Sequence, residues 1–171
     1  EKWAGTNATN ISLKGARLYI PEGAMVSQKL VSIAALRYVD IPALDQGLIN
    51  VTEGYYGYRF LPHGSQFTKA VQVSLDYDET KIPTGYTAKD IATFYFDDNA
   101  KHWVLLRRDS VDVANKKIIS TTTHFTDMIN GVLRVPESPE TQALTPNSMS
   151  GIEMPDATSE IATIAPPSAN N

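Results

Sequence analysis

Residues 120 to 130 read STTTHFTDMIN. A hydroxyl run leads into His124, then Phe125, then Thr126, and this grouping holds the ingredients of a self-directed reaction. A hydroxyl that directly follows a peptide bond can attack the carbonyl in front of it. An N-to-O acyl shift then turns amide into ester, and water cleaves the ester. The reaction needs a polarised hydroxyl, which a neighbouring imidazole supplies near neutral pH. It needs donors for the charge that develops on the carbonyl oxygen. It also needs a peptide distorted toward the transition state, and a sharp turn anchored by a buried Phe would provide that strain. The tripeptide contains the hydroxyl, the imidazole and the anchor. The same residues also read as plain structure, with Phe125 in a core and Thr122, Thr123 and Thr126 as good strand formers.

Other candidate groups point to structure. His63 sits in the turn Leu-Pro-His-Gly and His102 beside Trp103 in a strand, and neither has a second His three to five residues away. Asp76 and Asp78 share one side of a strand, a spacing that calcium ligands use, whereas Asp97, Asp98 and Asn99 read as a hairpin turn. The expectation is no metal and no cofactor. The cluster YYGYRF alternates Tyr56, Tyr58 and Phe60 on one face with Tyr55, Gly57 and Arg59 on the other. Core packing is the reading, with carbohydrate or partner binding through an exposed Tyr55 as the alternative.

The elements that must position these groups are strands. AVQVSLDYD places Val71, Val73, Leu75 and Tyr77 on one face and Gln72, Ser74 and Asp76 on the other, the period of a half-buried strand. IATFYFDDNAKHWVLL reads as a hairpin turning at Asp97-Asp98-Asn99-Ala100, and VDVANKKIISTTTHF as a second turning at Ala114-Asn115-Lys116. Earlier runs (ARLYIPEGAM, KLVSIAAL, GLINVT, YYGYRFLPHG) are broken by Pro or Gly, with prolines at run ends where a missing N–H harms a ladder least. Short strands at regular spacing predict an all-β fold, an antiparallel β-sandwich.

Composition divides the chain. Residues 1–135 carry 15 basic and 14 acidic side chains and all 15 aromatic residues, and they read as the sandwich domain. Residues 136–171 hold six of the ten prolines and five acidic side chains with no Lys or Arg. A stretch rich in Pro, Ser, Thr and Asn with one sign of charge cannot bury enough apolar surface to fold alone, and it reads as an extended, partly irregular acidic strap or linker. The net charge of −4 gives no basic surplus for nucleic acid, and no apolar run is long enough to span a membrane. With no cysteine, disulfides and thiol chemistry are excluded for this sequence.

Four pieces in order carry a family resemblance: LYIPEGAM at 18 to 25, GYRFLPHGSQFTKAVQVSLDYD at 57 to 78, FYFDDNAKHWVLL at 94 to 106, and STTTHFTDM at 120 to 128. Together they resemble the ZU-five domain, the β-sandwich module of ankyrins, netrin receptors and inflammasome-sensor proteins. Three positions depart from its pattern: Glu22 and Ala70 stand where that family has Pro, and Thr126 stands where it has Ser. The resemblance implies a self-cleaving bond between Phe125 and Thr126, with Thr126 as nucleophile, His124 as polarising base and Phe125 as acyl donor. Some members cleave there and others, ankyrins among them, keep the motif without cleavage. Adhesion receptors use a similar His-Leu-Thr at an unrelated self-cleaving site, so a threonine nucleophile is chemically acceptable.

The final residues EIATIAPPSANN resemble the lead-in of large secreted bacterial proteins of the Rhs and insecticidal-toxin type, and the sequence opens at Glu-Lys-Trp without Met. The expectation is therefore a module of a longer bacterial protein, secreted or at the cell surface. Its partners would be other domains of that chain or a separate protein. Its chemistry would be one intramolecular turnover, with the two fragments held together by strand pairing. The alternative is a non-catalytic interaction or spacer domain, and behind it a carbohydrate- or calcium-dependent adhesion module.

Overall fold

The computed structural model describes residues 1–134; the strap expected over 136–171 lies outside the described residues. Twelve strands follow in chain order: β1 (Lys2–Ala4), β2 (Thr9–Leu13), β3 (Ala16–Ile20), β4 (Lys29–Leu36), β5 (Leu48–Asn50), β6 (Gly57–Leu61), β7 (Gln66–Asp76), β8 (Ala92–Asp97), β9 (His102–Leu105), β10 (Arg107–Asp112), β11 (Lys117–His124) and β12 (Asp127–Leu133). Among the described residues there is no α-helix. One sheet runs β1-β4-β6-β12-β8-β9, with β5 also paired to β12, and the other runs β10-β11-β7-β3-β2. Every pairing is antiparallel, and the two sheets pack as the expected β-sandwich.

Alternation builds the interior. Val71, Val73 and Leu75 of β7 are fully buried, and they join Leu18 and Ile20 of β3 and Tyr58 and Phe60 of β6 in one core cluster. A side chain of this size contributes about 1.5–3 kcal/mol when fully buried, so the face of β7 that the sequence marks as apolar secures the sandwich. The Tyr58 hydroxyl donates to the Lys14 carbonyl at 2.9 Å, and burial pushes its pKa up to about 12.

Both expected hairpins form where their turn chemistry puts them. Asp97 accepts the amides of Asn99 and Ala100 between β8 and β9, and Asp112 accepts the amide of Asn115 between β10 and β11. Each turn closes on a lysine with left-handed φ, 57° at Lys101 and 54° at Lys116.

The YYGYRF face requires a correction. Tyr58 and Phe60 are buried, but Tyr56 is 50% exposed. The chain is still turning there, with Tyr55 N–H bonded to Glu53 O and Gly54 at φ 72°, so strand alternation begins only at Gly57. Gly57 is required for packing: a Cβ there would lie 2.9 Å from Ile129 Cγ2 and 3.0 Å from Met128 O.

The strand that matters most for the site is β12. It lies inside its sheet, paired to β5, β6 and β8, and Asp127 through Val132 are all buried. Met128 enters the core between the sheets, while Ile129 packs with Phe94, Phe96 and Trp103. Trp103 in turn donates Nε1–H to the Ala43 carbonyl at 3.0 Å and fastens that loop beside this cluster. Asn130 crosses the sandwich: Nδ2 donates to the Leu75 carbonyl at 2.8 Å, and Oδ1 accepts from Thr93 Oγ1 at 2.9 Å.

Candidate functional site

β11 belongs to the five-stranded sheet and β12 to the seven-stranded one, so Phe125 and Thr126 are the two-residue crossover between the sheets. The approach to it is irregular. Two steps along β11, from Thr122 to His124, match five along β7, from Val71 to Gln66. Irregular pairing of this kind bends a strand and re-aims its side chains. Thr122 fixes the result: its Oγ1 donates to the His124 carbonyl at 3.0 Å and accepts from the His124 amide at 3.3 Å.

Phe125 fills the interior at the crossover. Its ring is fully buried, 4.6 Å from the Phe67 ring and 5.8 Å from the Phe60 ring, centre to centre. Its backbone is held by the loop after β6, which begins with a cis Leu61–Pro62 bond. Phe125 N–H donates to Ser65 O, and Gly64 N–H donates to Phe125 O, both at 2.9 Å. The acyl carbonyl of the expected reaction thus already accepts a backbone N–H.

Thr126 is buried, and its Oγ1 donates to the Phe96 carbonyl at 2.7 Å. A hydroxyl has one proton, so in this arrangement the proton is directed at β8 and not at the imidazole. General-base transfer to His124 requires the hydroxyl to turn away from Phe96. The His124 ring is half-buried and packs edge-on against Tyr95, with centroids 4.7 Å apart and planes at 83°. Burial pushes its pKa below the ordinary 6.5, the Asp97 charge opposes that shift, and His63 adds to it. The imidazole is consequently neutral, the state a base requires, at pH 7. Among the described residues, left-handed φ outside glycine occurs at Lys101 and Lys116. The crossover therefore shows no left-handed strain at His124, Phe125 or Thr126.

A depression of about 320 Å³ opens beside the crossover, lined by His63, Gly64, Tyr95, Asp97, Asp98 and His124 among others. His63, read from sequence as a plain turn residue, stands here with its Nε2 3.4 Å from Asp98 Oδ2. His102 stands apart from this depression, with Nδ1 3.9 Å from Asp45. Next to the crossover, Asp127 takes a bidentate pair from Arg59 at 2.7 and 2.8 Å, and this pairing raises the Arg59 pKa. Sequence reasoning missed Gly64, Ser65 and Phe96 because they act through backbone groups, which every residue carries.

The calcium spacing resolves differently. Asp78 caps a short turn, accepting from Thr80 N at 2.9 Å and Thr80 Oγ1 at 2.6 Å. Among the described residues, no three His, Asp or Glu side chains gather in a way that could hold a metal ion. No described helix is long and apolar enough to cross a membrane. Comparison with known proteins found no matching family model and no matching curated protein.

Proposed function

We propose that this chain is a self-cleaving β-sandwich module of the ZU-five kind, acting once on its own Phe125–Thr126 bond. Thr126 Oγ1 attacks the Phe125 carbonyl carbon; the new C–O bond forms as the C–N bond breaks, and the hydroxyl proton passes by way of His124 to the Thr126 nitrogen. Water then hydrolyses the ester, leaving a carboxylate on Phe125 and a free amine and hydroxyl on Thr126. The observation that carries this reading is the placement of the motif. His124-Phe125-Thr126 leads through the crossover between sheets, Thr126 is buried, and it lines one depression with a half-buried His124 whose pKa burial lowers.

Cleavage there would leave β12 paired to β5, β6 and β8 and tied to the other sheet through Asn130, which supports fragments that stay together. Such a nicked, non-covalently closed module suits a larger secreted or surface protein of bacterial origin, with other domains of the same chain as its first partners. Intact-mass spectrometry of the freshly made, denatured protein tests the proposal. Two masses that break between Phe125 and Thr126, replaced by one in Thr126→Ala, are expected. A single full-length mass for the natural sequence would overturn it.

One observation favours the alternative of a non-catalytic interaction module. A groove of about 720 Å³ is lined by Tyr38, Tyr55, Tyr56, Ile41, Leu44 and Leu48 among others, with Tyr38 and Tyr56 edge-on at 5.3 Å. The single-mass outcome would leave this reading standing.

A further inference from the structure

We infer that the loop of residues 62–65 is the second half of the catalytic machinery. Gly64 N–H is the oxyanion donor, and the His63–Asp98 contact is the brace that holds electrophile and nucleophile in register. This rests on the self-cleavage reading above. When Thr126 Oγ1 attacks, the carbonyl electron pair moves onto the Phe125 oxygen, and that oxygen already receives Gly64 N–H at 2.9 Å. A donor aimed in advance at the atom that gains charge needs no reorganisation during the reaction. The amide reaches this place because Gly64 adopts φ 75°, a left-handed conformation that L residues other than Asn and Asp rarely take.

At rest, before its proton turns toward His124, the nucleophile is held by a different part of the chain. Thr126 Oγ1 donates to Phe96 O at the end of β8, two residues before Asp98. The electrophile's carbonyl is held by Gly64, one residue after His63. His63 and Asp98, with Nε2 and Oδ2 3.4 Å apart, therefore join the element that fixes the electrophile to the one that fixes the nucleophile. Their side chains are 38% and 54% exposed, so as a surface pair they contribute little to stability. A small shift between reacting atoms costs far more in rate than such a pair contributes to folding. His63 and Asp98 are accordingly positioning residues, and Gly64 N–H touches the reacting atom.

The test follows cleavage of the full chain after a pulse of cell-free synthesis, with samples denatured at intervals and weighed by mass spectrometry. His63→Ala and Asp98→Ala should each slow cleavage roughly tenfold, as expected for a modest misplacement of reacting groups. The double variant should be no slower than either single one, and the melting temperatures should stay close to that of the natural sequence. His63→Gln, which keeps an N–H donor toward Asp98, should recover most of the rate, which a loss of loop packing alone would not predict. Gly64→Asn, compatible with left-handed φ, should cleave, whereas Gly64→Val should not. Natural-sequence cleavage with unchanged rates in His63→Ala and Asp98→Ala would overturn the brace and leave self-cleavage intact. Unslowed cleavage by Gly64→Val would overturn the oxyanion donor. No cleavage of the natural sequence would overturn both this inference and the reading beneath it.

Discussion

The sandwich reverses or redirects its chain in two contrasting ways, at the hairpin turns and at the crossover. In the turns after β8 and β10, an aspartate accepts amides two or three residues ahead, a lysine takes the left-handed φ, and the segment stays exposed. At Phe125 and Thr126 nothing is local. The Phe125 amide and carbonyl go to Ser65 and Gly64, the Thr126 carbonyl to Phe60 N–H, and the hydroxyl to Phe96. A turn made from its own residues survives changes elsewhere in the molecule. A crossover built from distant partners depends on the whole fold, and it holds an arrangement that no isolated peptide would keep.

Substitution should expose that difference most strongly in stability. Phe125→Ala empties a fully buried ring site between Phe60 and Phe67 and should cost about 3–5 kcal/mol. Asn115→Ala removes an exposed turn contact to Asp112 and should cost under about 1 kcal/mol. Urea midpoints of the two variants measure this directly, and equal losses would erase the contrast drawn between the two regions.

Acidity should sharpen it next. The folded chain holds the His124 pKa below 6.5, so the unfolded chain binds more protons as the pH falls through that value. The His124 contribution is thus fully present above about pH 6.5 and is lost as the pH drops toward the folded pKa. The cleavage rate should rise with pH over the same window, with a midpoint under 6.5. The turn carboxylates Asp97 and Asp112 are shifted below 3.8, chiefly by hydrogen bonds from turn residues, so their contribution is lost only at more acid pH. An NMR titration of the His124 ring, beside cleavage rates from pH 5 to 8, checks the sign; a ring midpoint above 6.5 would contradict it.

The smallest effect belongs to Lys116. Replacing it with Gly relieves a left-handed φ while loosening the unfolded chain, and the two should nearly cancel, within about 1 kcal/mol. Cleavage should be unchanged, since Lys116 lies at the far end of β11 from the crossover. A slower Lys116→Gly would show that the two regions are coupled after all.

Legibility in the sequence follows the same division. β7 and both hairpins were readable, because strict alternation and Asp-Asn turn chemistry are written in adjacent residues. β12 was not, because it is buried on both faces and so shows no period of two. The face assigned to Tyr56 failed because the turn at Gly54 runs longer than the pattern suggested. Of the candidate site, His124, Phe125 and Thr126 were legible as side chains. The partners on Gly64, Ser65 and Phe96 were not, since peptide groups leave no mark on residue type, and only a fold brings them 30 to 60 positions along the chain to one place.

β12 is the last described strand to be made, yet it sits inside its sheet between β6 and β8. While the ribosome has delivered only residues up to 126, that slot is empty, and the seven-stranded sheet has unpaired edges where its middle should be. Thr126 reaches its buried surroundings only after Asp127 to Leu133 have emerged and docked. Delivery of β12 therefore sets when the crossover is enclosed, and a chain stalled before it carries His124, Phe125 and Thr126 without the strand that fills the middle of the sheet.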